Sequence, residues 1–275
     1  MKITEKKILS EAGGTRIIQL EVASAPIASK VKPGQFIVLM VTEKGERIPL
    51  TVVEEDKERG TVTLIFQEVG LTTKLLGRFN KGDCLFALVG PLGRPTEIKN
   101  YGKVILVGGG VGIAEILPVA KALKEEKNFV TTIIGARTKE LLILEKELKS
   151  FSDEFYITTD DGSSGKKGFT TDILKELLSQ GNYDLVYAVG PIPMMKKAAL
   201  VTKDIKVKTL VSLNPLMVDA TGMCGVCRVT VGGEVKFSCV DGPEFDAQLV
   251  NWDELAKRNN IYEAKEKHLC NFYKL

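Results

Sequence analysis

The segment DATGMCGVC, Asp219 to Cys227, sets two cysteines three apart, with an aspartate five residues ahead of the first. A further cysteine follows at Cys239, in KFSCVDG. Asp219, Cys224 and Cys227 therefore occupy a D-x4-C-x2-C frame. With cysteine in place of Asp219, this is the plant-type [2Fe–2S] spacing, C-x4-C-x2-C and then a distant cysteine. Gly222 and Gly225 let the backbone wrap closely around a compact inorganic core. The run VTVGGEVKFSC reads as a hairpin turning at Gly-Gly, which carries Cys239 back to the loop. The competing reading is a structural zinc, whose usual frames pair two C-x2–4-C knuckles or add histidines. The one histidine, His268, lies far along the chain and reads as a surface residue. The spacing favours iron–sulfur, with Asp219 as the fourth ligand. Cys84 and Cys270 stand apart and read as ordinary residues.

A second kind of chemistry is suggested by VGGGVGIAE, Val107 to Glu115, which joins a strand to a helix. Such a turn frees backbone N–H groups and a helix N-terminus to face a pyrophosphate. It departs from G-x-G-x-x-G, because Ile113 stands where the third glycine belongs; the glycines can equally serve helix–strand packing. A later turn, VGPIPMM, offers Gly190 and Pro191 at another strand end. Two strand-end turns on one sheet can border a single crevice. Arg137, ending IIGAR, and Asp160 or Asp161, ending ITTDD, can reach the same rim or simply face solvent.

A third group lies in RIPLTV, where Arg47 and Thr51 flank Pro49 and point to one face of an extended segment. They could grip a diphosphate and meet the edge of a flavin ring, or be plain surface residues. QEVGLTTKLL adds Gly70, Thr72 and Thr73 at the start of a helix, a potential phosphate seat.

The elements that must position these residues fall into three regions. Over 1–98, RIIQLEV, QFIVLMV, LTVVEED and TVTLIF are short β-branched runs between turn signals, which predicts a small antiparallel barrel. Only LTTKLLGRF looks helical there. Over 99–213, strands KVILVGGG, FVTTIIGAR, FYITTDD, DLVYAVG and KTLVSLN, the last of the sheet, alternate with helices at IAEILPVAKALKEEK, KELLILEKELKSF, TDILKELLSQ and IPMMKKAALVTK. Such alternation predicts a parallel sheet covered on both faces. The remainder, 214–275, is glycine-rich and holds the cysteines, with a short charged helix at WDELAKRN.

The 275 residues are 44% hydrophobic with a net charge of +3, and the charges are scattered Lys/Glu mixtures rather than a basic stripe, which argues against nucleic acid as a partner. No apolar stretch approaches the roughly 18 residues of a membrane span, and MKITEKKILSEAGG lacks the core of a signal peptide. A soluble, cytoplasmic protein is expected, in which five cysteines do not form a disulfide framework.

Together, KPGQF, RIPLT, GPLG, GGGVG and GPIPMM resemble the ferredoxin–NADP reductase superfamily over nearly the whole chain. With MVDATGMCGVCRVTVGG and FSCVDGPEFDA added, the chain is similar to the electron-transfer subunits of dihydroorotate dehydrogenase. It is more similar still to the family of small subunits of NADH-dependent reduced ferredoxin:NADP oxidoreductase, which use Asp plus three Cys for the cluster. The resemblance implies that Arg47, Pro49, Leu50 and Thr51 line FAD, with Gly70, Thr72 and Thr73 near its diphosphate, although the relatives' G-x-G-T reads GLTT here. It implies Gly109, Gly110 and Gly112 on NAD(H), with Gly190 and Pro191 opposite; Val189 replaces a frequent cysteine, and Glu115 a frequent proline.

The function implied is hydride exchange between NAD(H) and FAD, then single-electron transfer to the [2Fe–2S] cluster, because a flavin handles one or two electrons. The implied partner is a larger subunit with flavin and [4Fe–4S], reaching ferredoxin and NADP(H) by electron bifurcation, as a heterodimer. The rival readings are the same relay serving a dihydroorotate dehydrogenase, and a regulatory module that only binds metal and nucleotide.

Overall fold

The computed structural model describes residues 1–262 together with Lys265 and His268; Cys270 lies outside the described residues. Strands β1 (Ile3–Ala12) and β2 (Thr15–Ala23) lead through a short helix α1 (Ala25–Ala28) into β3 (Phe36–Met40), β4 (Arg47–Asp56) and β5 (Thr61–Gln67). Helix α2 (Leu71–Leu76) and strand β6 (Ala87–Leu92) complete the first region. The six strands pair antiparallel in the order β1-β2-β5-β4-β3-β6. A bridge between Lys2 and Cys84, with reciprocal Met1–Leu85 hydrogen bonds of 2.8 Å, brings the two ends of the sheet together as a barrel.

Strand alternation decides what this barrel touches. Ile37 and Leu39 of β3 point into its core, while Phe36 and Val38 point out and pack on the cysteine-bearing segment. Ile18, Leu20 and Val22 of β2 point in, while Ile17 joins Val53 and Ile65 in facing the next region. Two expected gaps are filled by strands: β1, masked by its charges, and β6, masked by an internal Gly-Pro.

The second region comprises β7 (Lys103–Gly109), α3 (Gly112–Glu125), β8 (Phe129–Ala136), α4 (Glu145–Ser150), β9 (Glu154–Thr159), β10 (Lys166–Lys167), α5 (Thr170–Gln180), β11 (Leu185–Val189), α6 (Ile192–Lys203) and β12 (Lys208–Ser212). The sheet order is β10-β9-β8-β7-β11-β12, parallel throughout. Its apolar clusters lie on the two faces: α5 and α6 cover one, while α3, α4 and the outside of the barrel cover the other. The expected helix KELLILEKELKSF is broken. A 3-10 turn at Lys139–Leu141 and α4 are separated by extended backbone at Leu142 and left-handed backbone at Leu144 (φ 56°), and Leu142 and Ile143 are buried in this non-helical link.

The third region holds hairpin strands β13 (Arg228–Val231) and β14 (Glu234–Phe237), α7 (Ser238–Asp241), β15 (Glu244–Asp246) and α8 (Trp252–Asn259). The hairpin turns at Gly232 and Gly233, both at positive φ. KTLVSLN is not the sheet's last strand: β15 returns antiparallel beside β12 and caps that edge. Among the described residues, no helix is long and apolar enough to cross a membrane.

Candidate functional site

The hairpin delivers Cys239 to the first turn of α7, where its Sγ lies 3.1 Å from Cys227 Sγ. Both thiols are buried and unbridged, against Phe36, Val38, Met217 and Ala220. Burial pushes the Cys239 thiol up to about 12, and its neighbour Cys227 adds to the effect. Cys224 is exposed, and the backbone N–H of Val226 holds its thiol below the usual cysteine value. Gly222 (φ 88°) and Gly225 (φ 66°) sustain the tight loop between them. Asp219 accepts from the Thr221 hydroxyl and, at 3.2 Å, from the Thr221 N–H. Thr221 first, and then Arg47, hold its carboxylate below the ordinary range.

This donor set fits a binuclear cluster better than a single ion. Among the described residues, no three Cys, His, Asp or Glu side chains converge on one point as zinc requires. A two-iron core needs only two donors at each iron. The buried thiols of Cys227 and Cys239, 3.1 Å apart and set against apolar walls, suit one such pair. Asp219 and Cys224 lie toward solvent, where Met223 is 89% exposed. His268 is exposed.

Strand β4 joins this loop to the rest of the molecule. Its first residue, Arg47, donates through Nη1 to Asp219 Oδ1 at 3.1 Å. Pro49 and Leu50 are half-buried and pair with Val38 and Ile37. Thr51 donates to Glu115 Oε2 at 3.1 Å, on the first turn of α3. Thr72 donates to Glu46 at 2.8 Å. The Thr73 hydroxyl accepts from the Val69 and Gly70 N–H groups and caps α2. Arg47 and Thr73 are therefore both engaged with the protein itself, Arg47 by an ion pair between half-exposed partners.

Between the barrel and the parallel sheet lies a cleft of about 1260 Å³ at the carboxyl ends of β7 and β11, where the direction of sheet winding reverses. Gly109, Gly110, Gly112, Arg137, Asp160, Gly190 and Pro191 all line it. The glycines differ in their work. A Cβ on Gly112 would lie 2.5 Å from Val189 O, and one on Gly190 2.9 Å from Gly109 O, so these glycines let the two turns touch. Gly110, at φ 58°, has nothing within 4 Å of a notional Cβ and faces open space. Arg137 and Asp160 stand exposed on the rim.

Two cleft residues lacked a signal in the motifs. Asn259 of α8 lines the cleft with a buried Oδ1 that has no hydrogen-bond partner. Glu115, noted in the sequence only for replacing proline, is the link between cleft and barrel. Burial pushes its carboxyl up to about 7, against the opposing hydrogen bond from Thr51.

A barrel, a nucleotide-type crevice and a metal-suited loop joined through one strand define an electron-transfer oxidoreductase of the ferredoxin-reductase type. Family models agree: residues 214–251 match the iron–sulfur cluster binding domain of dihydroorotate dehydrogenase B, and residues 106–199 match the oxidoreductase NAD-binding domain. A Thermotoga maritima protein named as a homolog of the dihydroorotate dehydrogenase B (NAD(+)) electron transfer subunit is 52% identical, covering 89% of this chain and 86% of its own length. An electron transfer subunit from Geobacillus thermodenitrificans is 33% identical over 90% of this chain and 96% of its own. The chain belongs to the dihydroorotate dehydrogenase B electron-transfer subunit family.

Within that breadth, a chain from the NADH-dependent reduced ferredoxin–NADP oxidoreductase, solved in work on flavin-based electron bifurcation, superposes with a TM-score of 0.93. It is 47% identical and covers 100% of this chain and 98% of its own. The Amycolatopsis cytochrome P450 reductase GcoB shares the fold alone, at a TM-score of 0.63 and 22% identity over 74% of this chain and 65% of its own. The protein is an oxidoreductase subunit, and the expected cofactors, FAD, [2Fe–2S] and NAD(H), accord with these matches.

Proposed function

We propose that this chain is the NAD(H)-reactive subunit of an electron-bifurcating NADH-dependent ferredoxin:NADP oxidoreductase. In this reading residues 1–98 hold FAD, 99–213 hold NAD(H) and 214–275 carry the cluster. Pro49, Leu50 and Thr51 line the flavin, Gly70 and Thr72 lie toward its diphosphate, and Gly110 opens the cleft to the dinucleotide. Asp219, Cys224, Cys227 and Cys239 hold the [2Fe–2S] cluster. The bound flavin supplies the conversion between paired and single electrons. The protein supplies proximity and orientation.

The observation that carries this reading is the position of β4. Arg47 bonds Asp219 of the cysteine loop and Thr51 bonds Glu115 on the wall of the cleft, so a flavin against this strand adjoins both. Exposed Cys224 and Met223 leave one side of the loop open to a larger subunit, which in this reading bears flavin and [4Fe–4S] and serves ferredoxin and NADP(H). Free thiols at all four described cysteines suit a cytoplasmic setting.

The test is anaerobic purification with bound partners, followed by iron, sulfide and flavin counts and titration with NADH and NADPH. One flavin and two irons per chain, bleached by NADH, support the reading; a colourless protein, or flavin unaffected by NADH, overturns it. A second reading, electron delivery to a dihydroorotate dehydrogenase, is favoured by the names of the family relatives. Co-purification of an orotate-forming partner would select it.

A further inference from the structure

We propose that Glu115 is the counter-charge by which the cleft tells the oxidised, cationic nicotinamide ring from the reduced, neutral one. The proposal rests on the assignment of NAD(H) to this cleft.

The argument begins with position. Hydride exchange requires the nicotinamide to meet the flavin where the barrel and the nucleotide region adjoin. Glu115 marks that junction. It lines the cleft at the start of α3 and reaches across to Thr51 of β4, 3.1 Å away. It is also uncompensated: among the described residues it forms no ion pair, and burial is the largest influence on its carboxyl.

Among the described residues no cation stands beside the carboxyl, although Arg137 and Lys197 line the same cleft farther along. Thr51 faces it from β4, and Tyr187, whose phenol is raised first by burial, then by the Glu244 carboxyl it donates to and last by Glu115, lies on β11. On β4, Arg47 is committed to Asp219, and Glu54 answers to Lys121 and to Glu147 of α4. Lys121 and Lys124 lie six and nine residues along α3, about 9 and 14 Å away at 1.5 Å per residue. Strand β7 offers only Lys103, at its far end, and β8 has no charged side chain; Arg137 follows it on the cleft rim.

A half-buried carboxyl on the wall of a cleft, desolvated by the groups around it and with no cation beside it, holds a proton near neutrality. Arrival of a positive ring replaces that proton: protonated Glu115 plus NAD+ gives carboxylate, bound NAD+ and one proton released to solvent. The neutral reduced ring offers no such exchange. Loss of hydride creates the very charge that Glu115 favours, so the site draws the reaction toward the oxidised nucleotide and does so more strongly as pH rises.

The experiment is calorimetric titration of the oxidised holoprotein with NAD+ and with 1,4,5,6-tetrahydro-NAD, a neutral ring that cannot donate hydride. Buffers of different ionisation enthalpy count the protons released between pH 5.5 and 8.5. The wild-type protein should release about half a proton per NAD+ at pH 7, the fraction expected of an acid titrating there, and none with the tetrahydro form. Glu115→Gln, which keeps an acceptor for Thr51, should abolish the release and weaken NAD+ about tenfold, a change of about 1.4 kcal/mol. Its affinity for the tetrahydro form should stay within about twofold, which also establishes that the variant is folded.

Equal discrimination and equal proton release in Glu115→Gln would overturn the proposal alone. So would the absence of proton release from the wild-type protein, a measurement needing no variant. Failure of the wild-type protein to bind either nucleotide would overturn the cleft assignment and this proposal with it.

Discussion

Arg47 Nη1 donates to Asp219 Oδ1 across 3.1 Å, joining the first residue of β4 to the acid of the cysteine loop. With side chains 48% and 26% exposed, the pair is screened by solvent and adds little to stability. Under the proposed ligand set its consequence is electrostatic, because a fixed cation beside Asp219 favours the reduced, more negative cluster.

Replacing Arg47 with Gln should therefore leave thermal stability near that of wild type while moving the cluster's potential to more negative values. An EPR-monitored redox titration reads the shift. No change in potential would mean that the Arg47 charge does not reach the cluster.

Asp219→Cys should give the all-thiolate frame and altered visible and EPR spectra, whereas Asp219→Ala should lower iron and sulfide per chain. Cys84→Ser is the control. Cys84 is exposed at the barrel seam, remote from the loop, and its loss should leave the iron count intact. If Asp219→Ala keeps the wild-type spectra, the fourth ligand is another group.

Gly112→Ala tests the contact between the two glycine turns. Its Cβ would meet Val189 O at 2.5 Å and Gly190 Cα at 2.9 Å, both backbone atoms that cannot rotate aside. A loss of about 1–3 kcal/mol is expected from overpacking, together with weakened nucleotide binding. Denaturant midpoints and NADH titration measure the two effects, and wild-type values for both would refute the packing role.

The Glu115 carboxyl also predicts how stability varies with pH. Its proton is bound more tightly in the folded state, with the value raised from 4.5 to about 7 by burial. Its contribution is fully present below pH 4.5 and is lost as pH rises through 7, by about 3 kcal/mol at 1.36 kcal/mol per unit. Glu244, raised likewise by burial, titrates in both proteins and cancels from the difference. Glu115→Gln should gain stability relative to wild type between pH 4.5 and 8, as read from denaturant midpoints. A difference that does not vary with pH would show that Glu115 titrates normally.

Much of this architecture was legible because its signals are local. The β-branched runs of β2, β3, β4 and β5, the glycine end of β7 and the Gly232-Gly233 turn each follow from a few adjacent residues. The illegible parts depend on partners. Strand β1 carries Glu5, Lys6, Lys7 and Glu11 and becomes a strand through β2, and β15 is three residues that find the edge of β12. The helical pattern around Leu142 to Leu144 is interrupted by left-handed backbone at Leu144, with Leu142 and Ile143 packed into the core beneath α3.

The D-x4-C-x2-C frame, the glycine turns and the alternation of strands with helices were determined by sequence alone, since each is a matter of spacing along one stretch of chain. Which of these sites adjoin was decided only in three dimensions. Thr51 meets Glu115 across 64 residues and Arg47 meets Asp219 across 172. Such meetings depend on strand order and on how one sheet packs against another, and no local periodicity encodes either.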